Sequence, residues 1–220
     1  MTEITVTQAL SYAIGTACKN QSDVEKRWIR ISNFIGSKLP HSLLPVSIQR
    51  LGRFDMIIRE MEKEFTTENT HSIETNTYAF EALSSFSENW VCNAYEILRT
   101  LKERKFISGK EFDVMYNGLR LIRIPLEKFQ LAKDNNLKNR KQPLELKSST
   151  NYMDTEPAKA YIYPSDKANR NERSHIMPTG ISHNGSWMWY VLDLEDPNNI
   201  QEFWIERLNL SDRIIELWSE

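Results

Sequence analysis

Two regular apolar patterns, separated by a short polar stretch, constrain the fold of this chain more than any other feature. In the first pattern the apolar residues step by three, four and three positions: Val91, Ala94, Leu98 and Leu101. In the second they step 3-4-3-4-3: Phe112, Met115, Leu119, Ile122, Leu126 and Phe129. Side chains three and four positions apart share one face of an α-helix. The patterns therefore predict two amphipathic helices, which a short turn folds into an antiparallel αα-hairpin over Ser87–Leu131.

A proline interrupts the second of these patterns. Pro125 lacks a backbone N–H, and its ring crowds the preceding turn of a helix. We expect a kink near Leu121–Ile122. Such a kink is typical of a packing adjustment, and it is also able to shape a pocket.

Three further helices are predicted before this hairpin, over Val6–Lys19, from Ser22 onwards and over Val46–Phe65. The first of these helices has an apolar stripe. The second begins with a capping box, Ser22 to Glu25. A similar box, Ser108 to Glu111, lies at the start of the second helix of the αα-hairpin. The stripe of the first helix consists of Val6, Leu10, Ala13, Ile14 and Ala17. The charged positions of the third helix are expected to face solvent: Arg59, Glu60, Glu62, Lys63 and Glu64.

The second half of the chain follows a different pattern. Residues Lys133–Lys147 read as a polar loop, with short strands expected at Leu144–Lys147 and Ala160–Tyr163. A β-hairpin is predicted from Ser186–Leu194 and Ile200–Arg207, with a turn at Asp196-Pro197-Asn198-Asn199. A short last helix would be capped by Asn209 or Ser211.

These elements predict a mainly α fold. We expect a helical bundle around the antiparallel αα-hairpin, with a small C-terminal antiparallel β-hairpin and a final short helix. The interpretation is one domain over residues 1–220, with the helical bundle in 1–133 and a loop-rich part in 134–220.

Composition narrows the class of protein. The net charge is −2 and 40% of residues are hydrophobic, so the chain is globular and its total charge gives no nucleic-acid footprint. The sequence has no signal-peptide pattern, no apolar run of about 18 residues, no glycine-rich phosphate loop and no GxSxG elbow. We therefore predict a cytoplasmic protein without a membrane partner or a cofactor. Cys18 and Cys92 are expected to be reduced thiols.

One short motif contains candidate catalytic residues. Arg170 is followed by Asn171, and His175 lies five positions after the arginine. This spacing resembles the R-x(4–6)-H signature of HEPN ribonucleases, a helical and usually dimeric family. The resemblance implies metal-independent RNA cleavage, in which His175 moves a proton, Arg170 holds the phosphate and Asn171 orients its partners. The resemblance covers six residues, and Pro178 and Gly180 soon after them favour a loop where the family has a helix.

Charge is distributed unevenly over the second half. Residues 133–173 contain nine basic and six acidic side chains, whereas residues 193–220 contain two basic and eight acidic ones. Three basic residues lie close together at Lys138, Arg140 and Lys141, with tyrosines further along the segment. Basic residues interleaved with aromatic ones are typical of surfaces that bind single-stranded nucleic acid.

Three functions from different classes follow from the sequence. The leading interpretation is a non-catalytic binding or regulatory protein, whose partner is another protein or a second copy of the chain. The second is a HEPN-like ribonuclease that uses Arg170 and His175 on RNA. The third is a nucleic-acid-binding module without catalysis.

Overall fold

The computed structural model describes residues 4–66, 77–139, 144–148, 159–164 and 173–218. Most of these residues are helical, which confirms the mainly α prediction. The α-helices are α1 (Val6–Asn20), α2 (Ser22–Lys38), α3 (Leu44–Glu64), α4 (Thr77–Glu103), α5 (Lys110–Lys128) and α6 (Arg207–Glu216). A 3-10 helix, Asp134–Asn139, follows α5.

The strands form two small antiparallel sheets. The strands are β1 (Leu144–Ser148), β2 (Lys159–Tyr163), β3 (Thr179–Ile181), β4 (Trp187–Asp193) and β5 (Gln201–Glu206). One sheet pairs β1 with β2, and the other has the order β3-β4-β5. The predicted hairpin is confirmed as β4 and β5, in which Val191 lies opposite Phe203. Strand β3 was not predicted, because three residues are too few to show an alternating pattern.

Helices α4 and α5 form the predicted antiparallel hairpin. The rings of Tyr95 and Tyr116 stack with their centroids 5.1 Å apart. Lys102, nearer the end of α4, pairs with Asp113, nearer the start of α5. Because contacts late in α4 meet residues early in α5, the two helices run in opposite directions.

The apolar seam of α5 is buried over most of its length. Phe112, Met115, Leu119 and Ile122 all lie in the core. Phe129 departs from the pattern and is 66% exposed, because α5 ends at Lys128 and Phe129 adopts a left-handed conformation with φ 55°. The helix continues through Pro125, whose carbonyl accepts the Phe129 N–H.

Both predicted capping boxes are wrong. Helix α2 follows α1 after a single residue, so Gln21 occupies the cap position and Ser22 is already helical. Helix α5 has Gly109 as its cap and no side-chain cap from Ser108. A capping box does form at the start of α1, where Thr5 and Gln8 each accept a backbone N–H of the other.

Two hydrophobic clusters organise the described residues. The larger one joins the inward faces of α2 to α6 with strand β4, and its largest fully buried side chains are Trp90, Trp187 and Trp189. The smaller one joins the 3-10 helix to β1, β2 and the end of β4, with Leu137, Leu146 and Tyr163 at its centre. The second cluster gives the loop-rich part a core of its own.

The charged face of α3 is only partly solvated, contrary to expectation. Asp55 and Glu62 are buried, and both pair with the buried Arg207 at the start of α6. Arg59 lies beside them, with 11% of its side chain exposed, and pairs with Asp55 and Asp212. This network explains why α6 begins at Arg207 and not after Asn209 or Ser211: a buried arginine fixes its first turn.

Candidate functional site

A groove of about 600 Å³ lies between α3 and α4, with α1 at its edge. The α3 side presents residues three and four positions apart, which places them on one face: Leu44, Ser47, Leu51, Phe54 and Ile57. The α4 side does the same with Asn89, Asn93, Glu96, Ile97 and Thr100. We call this groove, together with the apolar stripe of α1, the slot.

The floor of the slot is apolar and its rim is polar. Leu51 and Ile97 are buried, and Phe54 is half-buried and packs against Phe86 with the ring centroids 5.0 Å apart. Arg50 and Arg53 are exposed at the rim, and neither forms an ion pair with any residue in the described ranges. An apolar floor with a few polar groups around it is the usual construction of a binding site.

Helix α1 supplies the third wall. Ile14 lines the groove, and helical periodicity places Val6 and Leu10 on the same face as Ile14 and the buried Ala17. Val6 is 77% exposed and Leu10 is 52% exposed. The sequence predicted this stripe correctly as a pattern, but the structure leaves most of it uncovered.

The C-terminal end of α1 is firmly attached to α3. Asn20 and Gln21 both donate to the carboxylate of Glu60, at 2.7 Å and 2.6 Å. Burial alone raises the pKa of Glu60, but hydrogen bonds from Lys63, Asn20 and Gln21 outweigh it and lower that pKa. The carboxylate therefore remains ionised near neutral pH and holds the end of α1, while residues 4–15 are exposed.

The two cysteines are free thiols. Burial and the neighbouring Glu25 raise the pKa of Cys18 on α1. Burial and Glu127 raise the pKa of Cys92 on α4 to about 12. Both thiols are therefore protonated at neutral pH, whereas a nucleophilic cysteine acts as its thiolate.

His175 lies in the second half of the molecule and is 4% exposed. A hydrogen bond of 2.9 Å joins its Nδ1 to the hydroxyl of Tyr161, and its backbone N–H donates to the Phe129 carbonyl. Burial lowers the pKa of His175 to about 4, so the imidazole is neutral at pH 7. Its Nε2 has no hydrogen-bond partner among the described residues.

Most of the other candidate residues from the sequence lie outside the part of the chain that the structure describes. Arg170 and Asn171 lie outside the described residues, as do Arg140 and Lys141. Lys138 is in the 3-10 helix. The ribonuclease and nucleic-acid hypotheses therefore stay predictions.

Across the described ranges, no three His, Cys, Asp or Glu side chains are close enough to hold a metal ion. None of the helices there is long and apolar enough to cross a membrane. No family model, curated protein or solved structure matches the chain.

Sequence reasoning did not identify the slot, although two signals pointed to it. Phe54 and Ile57 are apolar residues of α3 that lie outside the inward stripe expected from the sequence, which is Ile48, Leu51, Ile58, Met61 and Phe65. In addition, the chain carries no charged residue between Glu3 and Lys19. A helix that faces water around most of its circumference usually carries charged side chains.

Proposed function

We propose that the protein is a non-catalytic binding protein, and that its slot takes up an amphipathic helix of a protein partner. The observation that carries this proposal is the apolar stripe of α1, which is uncovered beside an apolar groove of about 600 Å³. An amphipathic helix laid into the slot removes both apolar surfaces from water at once.

The dimensions support a helical ligand. Leu44 and Ile57 mark the ends of the α3 wall, and at 1.5 Å per residue they are about 20 Å apart. That length accommodates between three and four helical turns, presenting apolar residues at i, i+4 and i+7 to the floor. The exposed Arg50 and Arg53 remain at the rim, where they can contact polar residues of the ligand without being buried.

The lining residues favour binding over catalysis. They are apolar, amide, hydroxyl and arginine side chains with a single carboxylate, Glu96, which pairs with Arg99 and Arg123. An enzyme needs a nucleophile or a general base with a partner that activates it. A cytoplasmic location is part of this proposal, because that compartment keeps free cysteines reduced.

Affinity purification from the native host tests the proposal. The bait proteins are the wild type, Ile57→Glu in the slot, and a matched control, Val114→Glu, on the exposed face of α5. We expect a co-purifying protein, which includes an untagged copy of the chain, to be lost with Ile57→Glu and kept with Val114→Glu. The same proteins in equal amounts with all three baits would contradict the proposal.

A ribonuclease remains the second candidate, and one observation favours it. The hydrogen bond between the Tyr161 hydroxyl and Nδ1 orients the His175 imidazole, and Nε2 has no partner among the described residues. Because this ring is buried, a catalytic His175 requires a movement of the residues around it that exposes Nε2 to RNA. Arg170→Ala and His175→Ala should each abolish cleavage of a single-stranded RNA, whereas His183→Ala should not; equal cleavage by all variants would exclude this activity for the motif.

A further inference from the structure

We infer that the helix bound in the slot is α1 of a second copy of this chain. Each copy would place its own α1 between the α1 and the α3–α4 groove of the other. This inference rests on the proposed function, because it names the partner of the same slot. Three observations on α1 carry it.

The first observation is that α1 carries no charged residue before Lys19, which lies in its last turn. Between Glu3 and Lys19 the sequence has no Asp, Glu, Lys or Arg, although 26% of the whole chain is charged. A neutral helix enters an apolar slot without the desolvation penalty of burying an ion. It also meets an identical neutral helix without the repulsion that like charges would cause.

The second observation is that α1 is a complete helix whose apolar stripe contacts little of its own chain. Its start is defined by both hydrogen bonds of the Thr5–Gln8 capping box. Residues 4–15 are exposed even so. Isolated helices of about 15 residues are only marginally stable in water, so a well-formed but uncovered α1 favours a state in which its stripe is buried.

The third observation is that the stripe matches the slot. Val6, Leu10 and Ile14 are spaced four residues apart, which gives a ridge about 12 Å long. The ridge fits within the groove, whose α3 wall is about 20 Å long. Because Ile14 itself lines the groove, a second α1 in the slot contacts the first one along their stripes.

Two-fold symmetry follows from this arrangement. The α1 helix of each copy is a wall of its own slot and occupies the slot of the other copy. A single two-fold interface therefore buries both apolar stripes and both grooves. With one helix and one slot contributed by each copy, the interface is small, and we expect a dissociation constant in the micromolar range, about 1–100 μM.

Sedimentation velocity of the full chain over a range of concentrations tests the inference. The variant is Leu10→Glu on the stripe, and the matched control is Tyr12→Glu, on the opposite face of α1 and also exposed. We expect the wild type and Tyr12→Glu to dimerise, and Leu10→Glu to dimerise at least about 10-fold more weakly. Leu10 is 52% exposed, so a glutamate at this position should not disrupt the core. Circular dichroism should therefore show that Leu10→Glu is folded.

Three results would overturn the inference. The wild type could stay monomeric at a protein concentration of about 1 mM, tenfold the largest dissociation constant expected. Alternatively, Leu10→Glu could leave the dimer unaffected, or both variants could lose it equally. Failure of the proposed function gives a different pattern. If the wild type is monomeric but Ile57→Glu still removes a co-purifying protein, the slot binds a different partner. If Leu10→Glu and Ile57→Glu change neither assay, both the slot and the second copy are excluded.

Discussion

The guanidinium of Arg207 donates to the carboxylate of Asp55 across 2.6 Å, and neither side chain reaches solvent. Glu62 accepts two further hydrogen bonds from the same guanidinium. Burial alone disfavours the ionised form of Asp55, but the charges of Arg207 and Arg59 outweigh it and lower the pKa of Asp55. This network ties the start of α6 to the buried side of α3, the same helix whose other side forms a wall of the slot.

Removing the arginine from this network should destabilise the fold strongly. Arg207→Met leaves Asp55 and Glu62 as buried carboxylates that have lost a shared cation. We expect the free energy of unfolding to fall by about 3–5 kcal/mol, because an uncompensated buried charge is costly. Urea unfolding measures this difference.

The control is an arginine with a surface network. Arg99 pairs with Glu96 and Glu103, and 45% of its side chain is exposed. Arg99→Met should change the free energy of unfolding far less than Arg207→Met does, because exposed ion pairs contribute little to stability. Similar losses in Arg207→Met and Arg99→Met would show that the buried network has no special role.

Acid should destabilise the protein through His175 before the carboxylates titrate. The pKa of His175 is lowered by burial to about 4 in the folded chain, against about 6.5 when unfolded. The unfolded chain therefore binds more protons in this interval, and stability falls as pH decreases from about 6.5 towards 4, by up to about 3 kcal/mol. Urea unfolding at pH 7.5, 6 and 5 should show this slope in the wild type, less of it in His175→Gln, and all of it in the exposed His183→Gln. An identical slope in His175→Gln would contradict it.

A glycine permits the close packing of α2 on α3. A Cβ at Gly52 would lie 2.4 Å from Cγ of Trp28, which cannot easily move because it is buried and its indole N–H donates to Asp55. We expect Gly52→Ala to lower the free energy of unfolding by about 1–3 kcal/mol. Gly15→Ala in α1 meets nothing within 4 Å and should be neutral or stabilise by up to about 1 kcal/mol. Thermal unfolding of the two variants compares them directly, and equal melting temperatures would contradict this packing.

The periodicity of apolar residues predicted the helices well, but it did not predict which face of each helix is buried and which is exposed. The seam of α5 and the strands of the hairpin follow local patterns that any buried amphipathic element must have. Glu62 lies in a run of charged residues, and its burial is stabilised by Arg207 and Ser186, which are both far from it in sequence. Likewise, the stripe of α1 is an ordinary core pattern, and the sequence does not reveal that its own chain leaves Leu10 uncovered. The slot depends on contacts between elements far apart in sequence, which local patterns do not encode.

Photo-crosslinking from inside the slot tests the central claim most directly. Phe54 and Phe129 are each replaced by the photoreactive p-benzoylphenylalanine in cells, the first in the slot and the second exposed and away from it. The account predicts a discrete protein adduct from position 54, at twice the chain mass if the partner is a second copy, and no matching adduct from position 129. No adduct from position 54, or the same adducts from both positions, would contradict it.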